Sequence, residues 1–249
     1  MAHPKSRPIA LLVVLLAVVS ACAVGQEIGK SPTVPPKYCK PCLFYAGDFD
    51  GNNSAANGVY NDDNSQAQGA VYVPFRVPKG QNWSVTGLAV NLLSTSTAIP
   101  SSSTWEIRKG VSQGNGGKVI ASGKGSSVSA GQFDCGGIAV YCFTLLTKRV
   151  RASLPSGRYW LSMVPQCNGM GCDAEEIFLA DVEDNPPPNH YGPLEPWDDS
   201  FFNSNTFGYP FAPTWGASGI CGGKGCDRFS AAILGKSTGT ASLFTPLSR

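Results

Sequence analysis

Aromatic and carboxylate side chains that suit sugar binding are concentrated in residues 191–215. Exposed Trp and Tyr rings stack on the apolar faces of sugar rings, and nearby carboxylates orient the sugar hydroxyls by hydrogen bonds. The alternative is that these rings pin a long irregular loop to the hydrophobic core. Such packing is the favoured interpretation, and the second is a carbohydrate-binding surface, whose candidate residues are Trp197, Asp198, Asp199, Tyr209 and Trp215.

A second candidate site is the run DFDGNN at 48–53. Oxygen side chains at alternate positions around a glycine form the first half of a calcium-binding loop. The twelfth position of an EF-hand loop would fall at Val59, which has no ligating oxygen on its side chain, so that form is excluded. A metal-free Asx-rich turn is the favoured interpretation, and a calcium cofactor bound through Asp48, Asp50 and Asn52 is the alternative.

Catalytic constellations are poorly supported. His190 is the only histidine beyond the first few residues, and the chain has no G-x-S-x-G motif for a nucleophilic serine. Glycoside hydrolysis needs two carboxylates that face each other, and the sequence does not pair any two of its candidates. We therefore assign no catalytic residue and expect a non-enzymatic protein. The candidate carboxylates are Glu106, Asp134, Glu175, Glu176, Asp181, Glu183, Glu195, Asp198 and Asp199.

The chain has nine cysteines, and those beyond Cys22 fall in four close pairs. The motif Cys39-x-x-Cys42 precedes a Gly- and Asn-rich stretch rather than a helix, which argues against a redox dithiol, and the other pairs lack zinc-ligand spacing. We predict structural disulfides, with local pairing as the simplest connectivity and more distant partners for Cys39 and Cys42 as the alternative. The pairs are Cys39/Cys42, Cys135/Cys142, Cys167/Cys172 and Cys221/Cys226.

Residues 1–21 have the layout of a secretory signal peptide, because a basic start precedes an apolar run that is too short for an ordinary spanning helix. Two kinds of processing are open. The run VSAC at 19–22 resembles a lipobox, which would make Cys22 the lipidated first residue. The run ACA at 21–23 also fits the small-x-small pattern of ordinary signal peptidase. We expect a cell-envelope protein, either an outer-membrane lipoprotein or secreted, with residues 22–38 as a Pro-containing tether.

The composition favours a β-rich exported domain and disfavours some partners. Only 14% of the residues are charged, and Gly and Pro are frequent. Nineteen Lys and Arg face seventeen Asp and Glu, and loss of Lys5 and Arg7 with the signal leaves the charges balanced. No overall field then favours nucleic acid or an anionic membrane, so we expect membrane contact only through a lipid anchor.

Short runs with alternating apolar residues recur along the chain, separated by Gly, Pro, Asn or Ser, and no window has a helical period. They predict an all-β domain over residues 39–240, a two-sheet antiparallel β-sandwich that is jelly-roll-like, followed by a tail at 241–249. Long disulfide-fixed loops are expected, and residues 47–69 and about 185–227 lie outside the strand pattern. The predicted strands are 70–77, 83–93, 104–110, 118–123, 138–146, 158–164, 176–182 and 228–235.

The chain resembles a loose group of uncharacterised exported bacterial β-sandwich envelope proteins, through the runs VYVPFRVPKGQNWSVTGLAVNLL, WEIRKGVSQGNGGKVIASG, GRYWLSMV and DRFSAAILG. The resemblance covers most of residues 44–235 and implies a jelly-roll-like fold and export, but none of its motifs is catalytic. We therefore predict an envelope protein that binds or acts as a scaffold, with a carbohydrate or another envelope component as its partner. The alternative is a carbohydrate-binding or glycoside-hydrolysing domain.

Overall fold

The computed structural model describes residues 39–62, 65–95, 97–133, 141–166, 177–182, 190–196, 199–214 and 228–239. Within these residues the chain is almost entirely β-strand and contains no α-helix, so the all-β prediction is confirmed. The strands are β1 (Cys42–Tyr45), β2 (Phe49–Ala56), β3 (Gly58–Asp62), β4 (Ser65–Ser94), β5 (Ser102–Lys109), β6 (Lys118–Phe133), β7 (Tyr141–Gln166), β8 (Ile177–Val182), β9 (Phe201–Ser204), β10 (Tyr209–Pro213) and β11 (Ala231–Thr238).

Two long strands, β4 and β7, form the centre of the fold. They pair antiparallel from Val73, opposite Leu161, to Ser94, opposite Tyr141. The ladder shifts register twice along this length, and such bulges bend strands and increase their twist. Each of the two strands is therefore long enough to extend from one end of the sheet to the other.

The other strands extend this pair into one curled sheet. Strand β5 pairs with the end of β7, and β6 pairs first with β5 and then with the beginning of β7. Strand β11 pairs with the second half of β4, and β1 pairs with β11. Strands β8 and β9 also pair with β4, and they carry β2 and β10 respectively. The pairing is antiparallel apart from one parallel bridge between β3 and β7, which confirms the predicted antiparallel arrangement.

The main hydrophobic core is built from alternate residues of the central strands. Val71, Val73 and Phe75 of β4 are all buried in it. The Phe75 ring stacks against Trp83 and Tyr159, with centroid distances of 6.1 and 5.6 Å. Because one face of these strands is committed to the core, the register is fixed. The opposite face carries polar side chains together with a second, smaller hydrophobic cluster, which includes Tyr72, Trp160 and Phe201.

Residues 47–69, which the sequence predicted to be a polar loop, are instead mostly strand. The backbone of β2 pairs with β8, and β3 pairs with the start of β4. Between them, the buried Asn57 donates from Nδ2 to the Met163 carbonyl at 2.9 Å and accepts at Oδ1 from the Val71 N–H at 3.1 Å. The loop prediction was wrong because backbone pairing outweighs the weak strand propensity of these residues.

The second predicted irregular segment also contains strands, because β9 and β10 form a hairpin within it. The strands predicted at 70–77 and 83–93 are continuous within β4. The predicted signal peptide, the tether and the tail at 241–249 lie outside the described residues. Among the residues that are described, no helix has the length and apolarity needed to cross a membrane.

Candidate functional site

A groove with a volume of about 470 Å³ lies on the face of the sheet opposite the main core, where β4, β5, β6 and β7 are neighbours. Hairpin β9–β10 borders the groove through Asn203. Most of its lining side chains are polar, in contrast to the apolar opposite face. We call it the polar groove and define it by Tyr72, Thr104, Glu106, Arg108, Ser122 and Ser162.

Strand β5 supplies the centre of the polar groove because its side chains alternate between the two faces. Ser103 and Ile107 are fully buried on the core side. Thr104, Glu106 and Arg108 occupy the alternate positions, are only half-buried and line the groove. The strand thus presents a hydroxyl, a carboxylate and a guanidinium in a row.

The Glu106 carboxylate is held at both oxygens. The Tyr72 hydroxyl donates to Oε1, and Arg108 Nη2 lies 2.9 Å from Oε2. Burial, followed by the hydrogen bond to Glu106, raises the pKa of Tyr72 well above its ordinary value of 10.0. The phenol therefore remains a hydrogen-bond donor at neutral pH, and the carboxylate has a fixed orientation.

Two polar atoms of the groove have no hydrogen-bond partner within the described part of the chain, Ser162 Oγ and Arg108 Nε. Ser162 is 2% exposed and lies directly opposite Glu106 in the β5–β7 ladder. A buried hydroxyl without a partner costs free energy, because it has lost its hydrogen bonds to water. These two atoms are therefore unsatisfied in the wall of the groove, although each is almost completely shielded from solvent.

Phe211 of β10 packs over the Tyr72 and Arg108 side chains. Its backbone lies in the left-handed region, with a φ of 48°, where the β9–β10 ladder shifts register. The Phe211 ring centroid lies 5.0 Å from that of Tyr72 and 5.4 Å from Arg108 Cζ. A Cβ at Gly116 would lie 2.6 Å from Phe211 Cε2 and 2.7 Å from Arg108 Nη1, so only glycine fits there without displacing them.

The described part of the aromatic segment 191–215 packs partly against the sheet. Tyr209 is half-buried, and its ring meets the buried Phe202 ring edge-on with centroids 5.9 Å apart. Tyr209 thus helps to pin hairpin β9–β10, and its role in sugar binding stays a prediction. Trp197, Asp198 and Trp215 lie outside the described residues.

Asp199 belongs to a separate ion-pair cluster. Arg76 of β4 and Arg158 of β7 are direct cross-strand neighbours, which places two like charges side by side. The Glu195 side chain is 2% exposed, and its Oε1 and Oε2 lie 2.5 Å from Arg76 Nε and 2.7 Å from Arg158 Nε. Arg158 Nη2 also pairs with Asp199, whose carbonyl accepts a hydrogen bond from Trp160 Nε1 at 2.8 Å. This cluster ties the connection before β9 to the central strands.

The predicted calcium ligands are described only in part. The buried Asp48 carboxylate accepts a hydrogen bond from the Tyr45 hydroxyl. Asp50 and Asn52 lie within β2 rather than in a loop, and their side chains are outside the described part of the structure. Across the side chains that are described, no cluster of three or more His, Cys, Asp or Glu is present.

The cysteine predictions are confirmed in part. Cys39 and Cys42 form a disulfide with a Cα–Cα distance of 4.6 Å, which is the local pairing that the sequence suggested. Cys142 is also disulfide-bonded. The predicted lipidation site and the remaining predicted disulfide cysteines lie outside the described residues, namely Cys22, Cys135, Cys167, Cys172, Cys221 and Cys226.

Sequence reasoning named Glu106 among the candidate carboxylates but missed Tyr72, Arg108 and Ser162. The alternation in WEIRKG was the available signal, because it places Glu106 and Arg108 on one face of a strand. Tyr72 and Ser162 lie on other strands, and no local pattern specifies which strands become neighbours. No protein-family model and no curated protein matches this chain, so the geometry of the site carries the argument for function.

Proposed function

We propose that this protein is an exported β-sandwich of the cell envelope that binds a saccharide chain in the polar groove without hydrolysing it. The observation that carries the proposal is the fixed row of Thr104, Glu106 and Arg108, flanked by the buried hydroxyl of Ser162. Saccharide hydroxyls both donate and accept, so a concave site with fixed donors and acceptors suits them.

The finer fold assignment, a two-sheet jelly-roll-like sandwich, is part of this proposal. Strands β4 and β7 bend along their ladder, and residues from both of their ends meet in one hydrophobic core. A curled antiparallel sheet that closes on such a core favours two facing layers. The face opposite the core then remains available for a binding groove.

The number of carboxylates in the polar groove favours binding of a saccharide over its hydrolysis. Both classes of glycosidase use two carboxyl groups, about 5–10 Å apart, on either side of the scissile bond. Among the described residues that line the polar groove, Glu106 is the one carboxylate. Tyr72 and Arg108 occupy its two oxygens, which suits a residue that orients a ligand better than one that exchanges a proton.

Export is supported by the signal-like residues 1–21 and by the disulfide chemistry. Cystines such as Cys39–Cys42 persist in oxidising compartments outside the cytoplasm. We propose that Cys22 is lipidated and anchors the chain. In the native host, the full-length protein should partition into the detergent phase, and Cys22→Ser should move it to the aqueous phase. Aqueous partitioning of the unaltered protein would favour simple secretion instead.

Glycan-array screening followed by titration calorimetry tests the binding proposal. Glu106→Gln keeps the size of the side chain but removes the charge that holds Arg108 in place, and we expect about a tenfold weaker affinity for an uncharged saccharide. Lys236→Gln, at an exposed position of β11, is the matched control and should leave affinity unchanged. An array without any binding would overturn the proposal and leave a scaffolding role.

A further inference from the structure

A second pocket, with a volume of about 520 Å³, adjoins the polar groove. Trp105 and Lys124 line both cavities, so the two form one extended depression along β6. We call this part the cationic pocket and define it by Lys124, Lys148 and Arg149.

The three cations of this pocket form no ion pair with any described residue. Lys124, Lys148 and Arg149 are all exposed. The described residues that line the pocket include no carboxylate. Arg108 in the adjoining groove differs, because Glu106 neutralises it. The positive charge is therefore local to one end of the depression.

Two features of the backbone accompany this concentration of charge, namely a glycine at position 125 and a left-handed conformation at Arg149. A Cβ at Gly125 would lie 2.6 Å from Thr147 Cγ2 and 4.0 Å from the Lys148 carbonyl oxygen, so the glycine allows β6 to lie close against β7. This approach brings Lys124 and Lys148 into one pocket. Arg149 itself has a φ of 62°, a left-handed conformation that favours glycine.

The backbone position of Arg149 makes an arginine unexpected there. It lies in a bulge of β7, where the ladder passes from Ala152 opposite Val85 to Lys148 opposite Gly87. Bulges re-aim side chains, and strained non-glycine positions concentrate at binding sites. An arginine at a position that glycine would occupy with less strain points to a use for the guanidinium.

We propose that the ligand is an acidic polysaccharide, a polyuronate whose carboxylates bind the cationic pocket while its hydroxyls bind the polar groove. This inference rests on the proposed saccharide-binding function. Single-stranded nucleic acid is a poorer fit, because base stacking needs exposed rings and Trp105, the aromatic residue of the pocket, is 8% exposed. A concave depression lined by hydroxyl side chains also suits a chain better than a flat lipid surface.

The test compares polygalacturonate with its fully methyl-esterified form, which keeps the sugar backbone and hydroxyls but removes the negative charge. Calorimetric titration of the full chain should show tight binding of polygalacturonate, weakening with added salt, and much weaker binding of the ester. The double variant Lys148→Gln, Arg149→Gly should bind polygalacturonate about tenfold more weakly. Because glycine adopts the left-handed conformation at position 149 without strain, the variant should fold as the unaltered chain does.

The controls separate this inference from the proposed function. Lys79→Gln and Lys236→Gln remove two exposed cations elsewhere and should leave polygalacturonate affinity unchanged. Equal binding of acid and ester would overturn the inference but leave saccharide binding intact. Binding of polyphosphate or of phosphatidylglycerol vesicles as tight as that of polygalacturonate would overturn it in favour of a generic anion site. Failure to bind either saccharide form, together with an empty glycan array, would overturn both proposals.

Discussion

Removal of the Glu195 charge should destabilise the domain measurably. In Glu195→Gln the side chain keeps its shape, but Arg76 and Arg158 lose the carboxylate between them while remaining cross-strand neighbours. The two arginines then repel each other at close range. The connection that leads to hairpin β9–β10 also loses its ion pair with β4.

The expected cost follows from burial and exposure. Removing one partner of a buried ion pair costs roughly 3–5 kcal/mol. The Glu195 side chain is 2% exposed, but the side chains of Arg76 and Arg158 are 51% and 30% exposed, so solvent screens part of the attraction. Asp199 continues to pair with Arg158. We therefore expect a loss of about 2–3 kcal/mol in the free energy of unfolding.

Urea denaturation followed by tryptophan fluorescence measures this loss. With a slope of about 2 kcal/mol per molar urea, the midpoint should fall by about 1–1.5 M. Arg76→Met is the graded control, because this arginine is the more exposed partner and should cost only about 1 kcal/mol. A Glu195→Gln loss below about 0.5 kcal/mol, with an unchanged slope, would refute the reasoning that the cluster stabilises the fold.

Three further outcomes are expected. Gly116→Ala places a methyl group against Phe211 and Arg108 and should cost about 1–3 kcal/mol in urea denaturation; a loss below about 0.5 kcal/mol would contradict the packing account. Tyr72→Phe should be less stable than the unaltered chain by about 1 kcal/mol at neutral pH. Because the pKa of Tyr72 is raised in the folded chain, that difference should narrow as the pH rises above 10.0, where the unfolded phenol ionises first, and a constant difference across this range would refute the assignment. Finally, EDTA should leave the melting temperature unchanged, since Asp48 already accepts a hydrogen bond from Tyr45; a fall that calcium reverses would establish the metal site.

Local patterns in the sequence predicted those parts of the fold and site that depend on alternation. The all-β class followed from short alternating runs, and WEIRKG placed Glu106 and Arg108 on one face of β5. The fusion of two predicted strands into β4 was not predictable, because Lys79 and Gly80 read as a turn when the partner strand is unknown. Local composition cannot reveal a partner that lies far along the chain.

The features of the site that the sequence did not predict also depend on residues that lie far apart in the chain. Tyr72 meets Glu106 only because β4, β7 and β5 are consecutive neighbours in the sheet. Phe211 contacts Arg108 because its backbone adopts a left-handed conformation, which phenylalanine rarely does. The residue type alone therefore did not predict this contact. The sequence did not predict the polar strands β2 and β3, because the hydrogen bonds that pair them are made by the backbone and do not depend on their side chains.

The continuity of β4 and β7 also governs when the chain can fold. Every pair in their ladder joins residues that are distant in sequence, so loop-closure entropy must be overcome before any of the central contacts form. A nascent chain that has not yet produced β7 has no partner for the centre of β4. The central ladder therefore cannot form until β7 has been synthesised, a delay that would suit the export we propose.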